Sequence, residues 1–307
     1  MRIAVQHGVG DPAWTPAILQ PDRVASFARA AEESGYAALG FTDHPAPSGN
    51  WVRAGGEGSA DPFSALGFCA AVTSTIRLLT FVLVLPYRNP FLSAHQLATL
   101  DHLSGGRLII GAGTGYLKSE LLALGAEPGS RLDDFDTAWA VMTEAWRGED
   151  IHVQGDGFSA RGTQVQPRPL QLPHPPLWVH GNSRFGRERA ARLGQGCLVV
   201  MGDEQLAATI RTRRIADLKT LEQDIAELRL LTEHAGRPPV EVVVAGTWPM
   251  LDIRKGWDVD RRLEEVAQLA ELGVDWMGLL TCGDDPVAAE DSVRRFGEEV
   301  VMRVRDE

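Results

Sequence analysis

The chain has 307 residues, of which 44% are apolar and 23% charged, a composition typical of a folded protein with a sizeable core. Lys and Arg number 30 and Asp and Glu 41, so the formal net charge is −11. A field of that sign repels phosphate backbones and therefore disfavours nucleic-acid and anionic-membrane partners. The three cysteines, Cys69, Cys197 and Cys282, form no CxxC pair. This argues against a disulfide framework and for a reducing cytosol.

The first residues, Met1 to His7, lack the apolar core and the cleavage site of a signal peptide. The longest apolar run, about residues 78–85, is far shorter than the ~20 residues that a membrane helix needs. We therefore expect a soluble, cytoplasmic protein that acts on a small molecule and has no nucleic-acid or membrane partner.

Short β-branched runs alternate with amphipathic helical patterns along the chain. Strands are predicted at residues 3–6, 37–42, 77–85, 108–111, 177–180, 197–200, 240–245 and 275–280. Helices are predicted at residues 22–34, 62–74, 92–103, 133–147, 184–193, 215–234, 258–272 and 286–304. Because strands that alternate with helices form parallel sheets, these units predict an α/β fold, a closed (β/α)8 TIM barrel. An open doubly wound sheet is the alternative.

The chain is longer than the ~250 residues of a bare barrel, so we interpret residues 1–307 as one barrel domain with insertions. The insertions fall at about residues 44–58, 149–176 and 247–257, and the second contains a predicted hairpin. We expect all three at the carboxyl-terminal rim of the barrel, where they would select the substrate.

Three histidines stand where predicted strands end. His7 follows the first strand, Asp43 and His44 follow the second, and His180 ends the fifth. Barrel enzymes work from the carboxyl ends of their strands, so this convergence indicates a functional site, although any one of these histidines could equally be a core residue. A metal centre is disfavoured, because it needs three or four clustered donors and few strand ends carry a carboxylate.

Two glycine-containing turns follow predicted strands four and five. One is residues 111–115, and the other is Gly181-Asn182-Ser183, directly before a predicted helix. Glycines let backbone N–H groups approach a phosphate, and a helix N-terminus attracts anions. Four arginines follow the second turn at 184, 187, 189 and 192. The turns suggest a phosphorylated cofactor, whose acidic tail the arginines would hold. A plain tight turn and an ordinary N-cap are the alternatives.

Several stretches carry a likeness to a known family. They include residues 83–90 (LVLPYRNP), 95–101 (HQLATLD), 103–108 (LSGGRL) and the glycine turn at 111–115. Together with residues 32–44, 132–135 and 175–183, this pattern resembles the bacterial luciferase-like family, and in particular its branch of coenzyme F420-dependent oxidoreductases. The resemblance covers about residues 1–200, and the remainder shows only barrel periodicity.

The resemblance implies a barrel whose rim holds coenzyme F420 or a flavin such as FMN. It implies that Asp43 and His44 contact the ring, with His44 placed for proton transfer. It also implies a non-prolyl cis peptide between Phe81 and Val82, on a bulge behind the ring. The other cofactor contacts implied are Leu83, Gly113, Thr114, Gly115, Tyr116, His180, Gly181, Asn182 and Ser183. Relatives often pair, so a homodimer is expected.

Three residues depart from the family pattern. Phe81 is bulky where relatives have a small residue, which would crowd the ring. Tyr116 stands where the glucose-6-phosphate dehydrogenase branch has Glu, so that substrate is not expected. His180 replaces a Gly or Ala, and would touch the cofactor or reshape the phosphate site.

These observations lead to one hypothesis with two alternatives. A deazaflavin transfers hydride, and the protein supplies orientation and a proton. We expect His44, oriented by Asp43, to be the acid/base, since an imidazole exchanges protons near neutrality. The substrate pocket is expected to be lined by His7, Trp14, Trp51 and Trp248. The alternatives are an FMN-dependent monooxygenase that uses oxygen and a non-catalytic cofactor-binding barrel, which Phe81 favours.

Overall fold

A computed structural model describes residues 1–8, 11–246 and 249–305, and within them eight parallel strands close into a barrel. The barrel strands are β1 (Arg2–Gln6), β2 (Ala38–Phe41), β3 (Arg77–Val84), β4 (Leu108–Gly113), β7 (Leu177–His180), β8 (Gly196–Val200), β9 (Glu241–Ala245) and β10 (Trp276–Leu280). Their order around the barrel is β1-β10-β9-β8-β7-β4-β3-β2. Because β1 pairs with both β2 and β10, the predicted closed barrel is confirmed and the open sheet is wrong.

Helices surround the barrel and cover the outward faces of the strands. They are α1 (Pro21–Glu33), α2 (Gly49–Arg53), α3 (Pro62–Val72), α4 (Pro90–Leu103), α5 (Lys118–Ala123), α6 (Arg131–Ala145), α7 (Arg184–Leu193), α8 (Glu204–Thr209), α9 (Leu218–His234), α10 (Val259–Glu271), α11 (Pro286–Phe296) and α12 (Met302–Arg305). Sequence patterns missed α2, α5 and α8, because helices of five or six residues are too short to show a period. A π-helical turn, Gly297–Val301, interrupts the helix predicted at the C-terminal end.

The barrel interior is packed, so only its mouth can take a ligand. Its lower layers hold small and aliphatic side chains together with Trp178 and Trp276, whose ring centroids are 4.9 Å apart. Phe81, Val82 and Val200 lie above them and are only partly buried. This arrangement leaves the carboxyl ends of the strands as the functional face.

Strand β3 is irregular where it meets the mouth. Its register with β4 shifts between Thr80 and Leu83, and the peptide between Phe81 and Val82 is cis. The predicted non-prolyl cis bond on a bulge is confirmed.

The three insertions follow different kinds of element. Residues 44–58 follow β2, and residues 249–257, the described part of the third insertion, follow β9. The middle insertion forms the predicted hairpin, β5 (Ile151–Gly155) and β6 (Phe158–Thr163), but it connects α6 to the start of β7. Below the hairpin, Gln171 Nε2 donates to the carbonyl of Leu108, at the start of β4. The insertion therefore leaves from a helix, but the tip of its hairpin, residues 154–158, lines a groove together with residues 85–90, which follow the carboxyl end of β3.

No helix in the described ranges is long and apolar enough to cross a membrane.

Candidate active site

The three histidines predicted to converge occupy different environments. His7 points away from the barrel interior and packs against Phe27 of α1 and Phe41, with ring centroids 4.4 and 5.4 Å away. Burial lowers the pKa of His7 and that of His180 to about 4. Both imidazoles are therefore neutral near pH 7 and poor proton donors. His44 is the exception.

His44 lies at the end of β2 and is held by a carboxylate. Its Nδ1 is 3.0 Å from Oε2 of Glu120, and the two side chains are 9% and 3% exposed. The other oxygen of Glu120 accepts a hydrogen bond from the backbone N–H of Ala46 at 3.1 Å. Burial lowers the pKa of His44, but the hydrogen bond and charge of Glu120, with the charges of Glu57 and Asp43, raise it above its ordinary value. His44 is thus suited to carry a proton at neutral pH.

Asp43 does not orient His44, which corrects the sequence-based hypothesis. Its carboxylate accepts hydrogen bonds from the backbone N–H of Val84 at 3.0 Å and from the Arg88 guanidinium at 2.5 and 3.2 Å. Neighbouring side chains in extended backbone point to opposite sides, so two consecutive residues contact different elements. Asp43 anchors the end of β3, and Glu120 of α5 orients the histidine. No pattern around the short helix α5 indicated Glu120, except that it is acidic beside the apolar Leu121.

Tyr116, His44 and Glu120 form a line of three hydrogen-bonded side chains. The Tyr116 hydroxyl lies 3.2 Å from Nε2 of His44, and the Tyr116 ring meets the imidazole edge-on at 5.5 Å. Burial, and then the charges of Glu57 and Glu120, raise the pKa of Tyr116. The family resemblance implies that Tyr116 contacts the cofactor. In the structure its hydroxyl contacts His44.

The glycine turn after β4 allows close packing against the bulge of β3. A methyl group added to Gly113 would lie 3.0 Å from Val82 Cγ2, and one added to Gly115 would lie 2.9 Å from Val84 Cγ1. Gly115 also has φ of +74°, a conformation that favours glycine. These glycines are thus required by the fold. A phosphate contact from Gly113, Thr114 or Gly115 stays a prediction.

The turn after β7 is only partly available to a ligand. Asn182 is fully buried, and its amide accepts from the N–H of Val200 and donates to the carbonyls of Val200 and Arg213 at 2.7 to 2.9 Å. Every polar atom of the Asn182 amide is thus used within the protein, and a cofactor contact from Asn182 stays a prediction. Ser183 caps α7 by accepting from the N–H of Gly186 at 3.1 Å. Helix α7 begins at Arg184, and a helix N-terminus attracts anions.

The arginines of α7 do not form a free cationic patch. Arg187 pairs with Asp224 and Glu227, and Arg184 pairs with Glu188. The other two, Arg189 and Arg192, both pair with Asp136. Acidic residues of α6, α7 and α9 pair with these arginines, so an acidic tail would compete with the ion pairs, and the expected contact stays a prediction.

Several buried polar atoms at the mouth lack a partner among the described residues. They are both amide atoms of Gln6, Nδ1 of His7 and Nε1 of Trp51. Buried polar atoms are almost always hydrogen-bonded, so these atoms call for water or a ligand. Gln6 lies under Phe81, and both side chains pack against Gly40 and Gly278. The Phe81 ring therefore crosses the mouth above an unsatisfied amide.

The predicted substrate-pocket residues fall in two places. His7 and Trp14 line one cavity of about 10 Å³, which holds about one water. Trp51 lies beside His44, with ring centroids 5.1 Å apart, and packs over Gly56. Trp248 is outside the described residues. A substrate pocket formed by these side chains stays a prediction, and no metal-binding group of three His, Cys, Asp or Glu side chains occurs in the described part of the chain.

A closed parallel barrel with an ionisable histidine at its mouth places the chain in the TIM-barrel fold class. The family model of luciferase-like monooxygenases matches residues 1–247. The chain therefore belongs to the luciferase-like monooxygenase family.

Curated relatives include users of both cofactor types. The F420-dependent glucose-6-phosphate dehydrogenase of Microbacterium testaceum is 26% identical over 93% of this chain and 94% of its own length. The FMNH(2)-dependent dimethylsulfone monooxygenase of Pseudomonas putida is 31% identical over 40% of this chain and 34% of its own. The uncharacterized protein y4wF of Sinorhizobium fredii is 30% identical over 66% of this chain, and the match spans 55% of that protein.

Solved structures show the same fold. The monooxygenase RslO1 of Streptomyces bottropensis superposes with a TM-score of 0.80 at 20% identity, over 99% of this chain and all of that one. At 20% identity this likeness concerns the fold.

Proposed function

We propose that the protein is an F420-dependent oxidoreductase in which His44 is the proton source or acceptor for the substrate. The observation that carries this proposal is the buried His44–Glu120 pair at the mouth of the barrel, 3.0 Å apart. Hydride transfer to or from a polar double bond needs a matched proton at its heteroatom, and a histidine with a raised pKa supplies one at neutral pH.

F420 is favoured over FMN by the extent of the matches. The relative named for F420 aligns with 93% of the chain, including β7 to β10, whereas the relative named for FMNH(2) aligns with 40%. When bound, a deazaflavin supplies hydride chemistry and does not readily activate oxygen.

The residues at the mouth fit such a group. The N-terminus of α7, after Ser183, and the hydroxyl of Thr114 would hold its phosphate. The bulge at Phe81–Val82 would support the ring, and the unpartnered amide of Gln6 offers hydrogen bonds to a polar ring edge. Phe81 would have to turn aside, since its ring covers Gln6.

Titration of the purified protein with F420 and, separately, with FMN tests the cofactor. Cofactor fluorescence and the melting temperature are followed. We expect saturable F420 binding that raises the melting temperature, and FMN binding at least about tenfold weaker. Preferred FMN binding, with oxygen consumption in the presence of a flavin reductase, would instead establish the monooxygenase. The absence of stabilisation by either compound at high excess would favour a non-catalytic barrel.

His44→Asn tests the catalytic assignment. This variant should bind F420 within about twofold of the wild-type affinity and lose ~10²–10⁴ in turnover, the usual contribution of a general acid or base. Full turnover with intact cofactor binding would contradict the role of His44. We also propose that the protein is a homodimer, which light scattering measures directly.

A further inference from the structure

We propose that Tyr116, rather than His44, contacts the substrate, and that His44 restores the proton which Tyr116 gives up. This inference rests on the proposed function and refines the chemistry of the same site. Three side chains form one line: the Tyr116 hydroxyl is 3.2 Å from His44 Nε2, and His44 Nδ1 is 3.0 Å from Glu120 Oε2.

Both ring nitrogens of His44 are engaged by protein groups. Nδ1 faces the Glu120 carboxylate, which the N–H of Ala46 fixes from its other side. Nε2 faces the phenol. An imidazole has only these two polar atoms, so a proton that moves between His44 and a substrate passes through the Tyr116 hydroxyl.

The hydrogen bonds reverse with the charge of His44. In the neutral state, Nδ1–H donates to Glu120 and the Tyr116 hydroxyl donates to Nε2. In the imidazolium state, Nε2–H donates to the Tyr116 oxygen, which frees the hydroxyl proton for a substrate. Glu120 therefore controls when Tyr116 can act as a donor, because it favours the imidazolium.

The proton steps balance without a phenolate. A bound reduced deazaflavin would supply the hydride to the substrate carbon, while the substrate oxygen takes the proton of Tyr116. At the same time the Nε2–H bond of His44 breaks and the Tyr116 O–H bond re-forms, so His44 ends neutral. A phenolate is disfavoured by burial and by the charges of Glu57 and Glu120 around Tyr116, against the weaker influence of Arg211.

The other charged groups near this line are accounted for. Asp43 adds to the field that favours the His44 cation, and Arg88 pairs with Asp43. Arg211 reaches the backbone carbonyl of Tyr116, at 3.4 Å. A phenol donor needs a lone pair to accept its proton. The substrate class inferred is therefore a carbonyl compound, a ketone, aldehyde or enone, or the matching alcohol in the reverse direction.

Tyr116→Phe tests the proposal, with Tyr87→Phe as the matched control. The hydroxyl of Tyr87 is also buried, but it donates to the backbone carbonyl of Asp43. In cofactor-free protein labelled with ¹⁵N-histidine, we expect the neutral His44 Nε2 resonance to move towards that of an unbonded nitrogen in Tyr116→Phe only. An unchanged Nε2 resonance would overturn the proposal.

Turnover gives the second readout. Wild type loaded with reduced F420 is assayed with cyclohexanone and 2-cyclohexen-1-one as probes. We expect kcat of Tyr116→Phe to fall about 100-fold or more with little change in KM, and Tyr87→Phe to stay near wild type. Equal kcat for Tyr116→Phe would contradict the proposal, and F420 binding without turnover of either probe would contradict the carbonyl class. If F420 does not bind, the proposed function is wrong. The NMR result then tests by itself whether Tyr116 is hydrogen-bonded to His44.

Discussion

Two carboxylates, Asp43 and Glu120, are candidates for the side chain that orients His44. Asp43 is adjacent in sequence, but it is not the partner. Its side chain points to Arg88 and Val84. Glu120 is 76 residues away and makes the contact. His44 itself was predictable, since it follows a recognisable strand and lies in a family pattern. Its partner, Glu120, was not predictable. Helix α5 has only six residues, and barrel closure determines where this helix lies relative to β2.

Replacing Glu120 tests this pair. Glu120→Gln should lower the pKa of His44, because the substitution removes the charge that offsets burial. His44 should therefore lose its proton at a lower pH than in the wild type. Donor activity should be lost at the same lower pH. A histidine-selective NMR titration measures the pKa, and Glu127→Gln, at an exposed site outside the described contacts of His44, serves as the control. An unchanged pKa would show that Glu120 does not stabilise the cation.

The elements were largely predictable because each barrel strand is a short β-branched run followed by a helix. The hairpin was also predicted, but not that its segment leaves from helix α6, since local patterns do not say which elements a connection joins. The turn after β7 shows a second limit. The sequence Gly181-Asn182-Ser183 predicts an anion-binding turn. In the structure the Asn182 side chain, after β7, is hydrogen-bonded to Val200 of β8 and to Arg213. The partners of a buried amide depend on neighbouring strands that are remote in sequence.

Asn182→Ala separates these two roles. We expect a loss of about 2–4 kcal/mol in the free energy of unfolding, because the N–H and carbonyl of Val200 are left buried without a side-chain partner. Urea unfolding measures the loss. Asn50→Ala, at an exposed site in α2, should change stability by less than about 0.5 kcal/mol. A loss below about 1 kcal/mol in the free energy of unfolding, together with weakened cofactor binding, would indicate that Asn182 contacts the cofactor.

The whole molecule carries a net charge of −11, and the structure shows how that charge is distributed near the site. The arginines of α7, which read as a local basic patch, are neutralised by Asp136, Asp224 and Glu227. Pairing of this kind between distant helices is set by the tertiary fold, so the sequence alone could not reveal it. Two histidines among the described residues, His7 and His180, have a pKa that burial lowers to about 4, and they add a pH dependence.

Acid should destabilise the protein through His7 and His180. Their folded pKa of about 4 lies below the unfolded value of 6.5, so the unfolded state binds more protons between these pH values. Stability should thus be fully present above about pH 6.5 and fall towards pH 4, by about 3 kcal/mol for His7. His44 adds no slope there, since its raised pKa leaves it protonated in both states below about 6.5.

Melting temperatures across this pH range test the assignment. His7→Gln should flatten the decline relative to wild type, whereas His152→Gln, at an exposed site in β5, should leave it unchanged. A decline of equal slope in His7→Gln would show that other groups cause the acid sensitivity.

The central claim is that the mouth beside His44 holds a deazaflavin, and a crystal structure of the protein with bound F420 tests it most directly. We predict the ring against the Phe81–Val82 bulge, Phe81 turned away from Gln6, and the reacting face open to the Tyr116 hydroxyl. A ring bound elsewhere would contradict the account. One such place is the outer groove of about 480 Å³ that Arg88, Glu127 and Gly157 help to line.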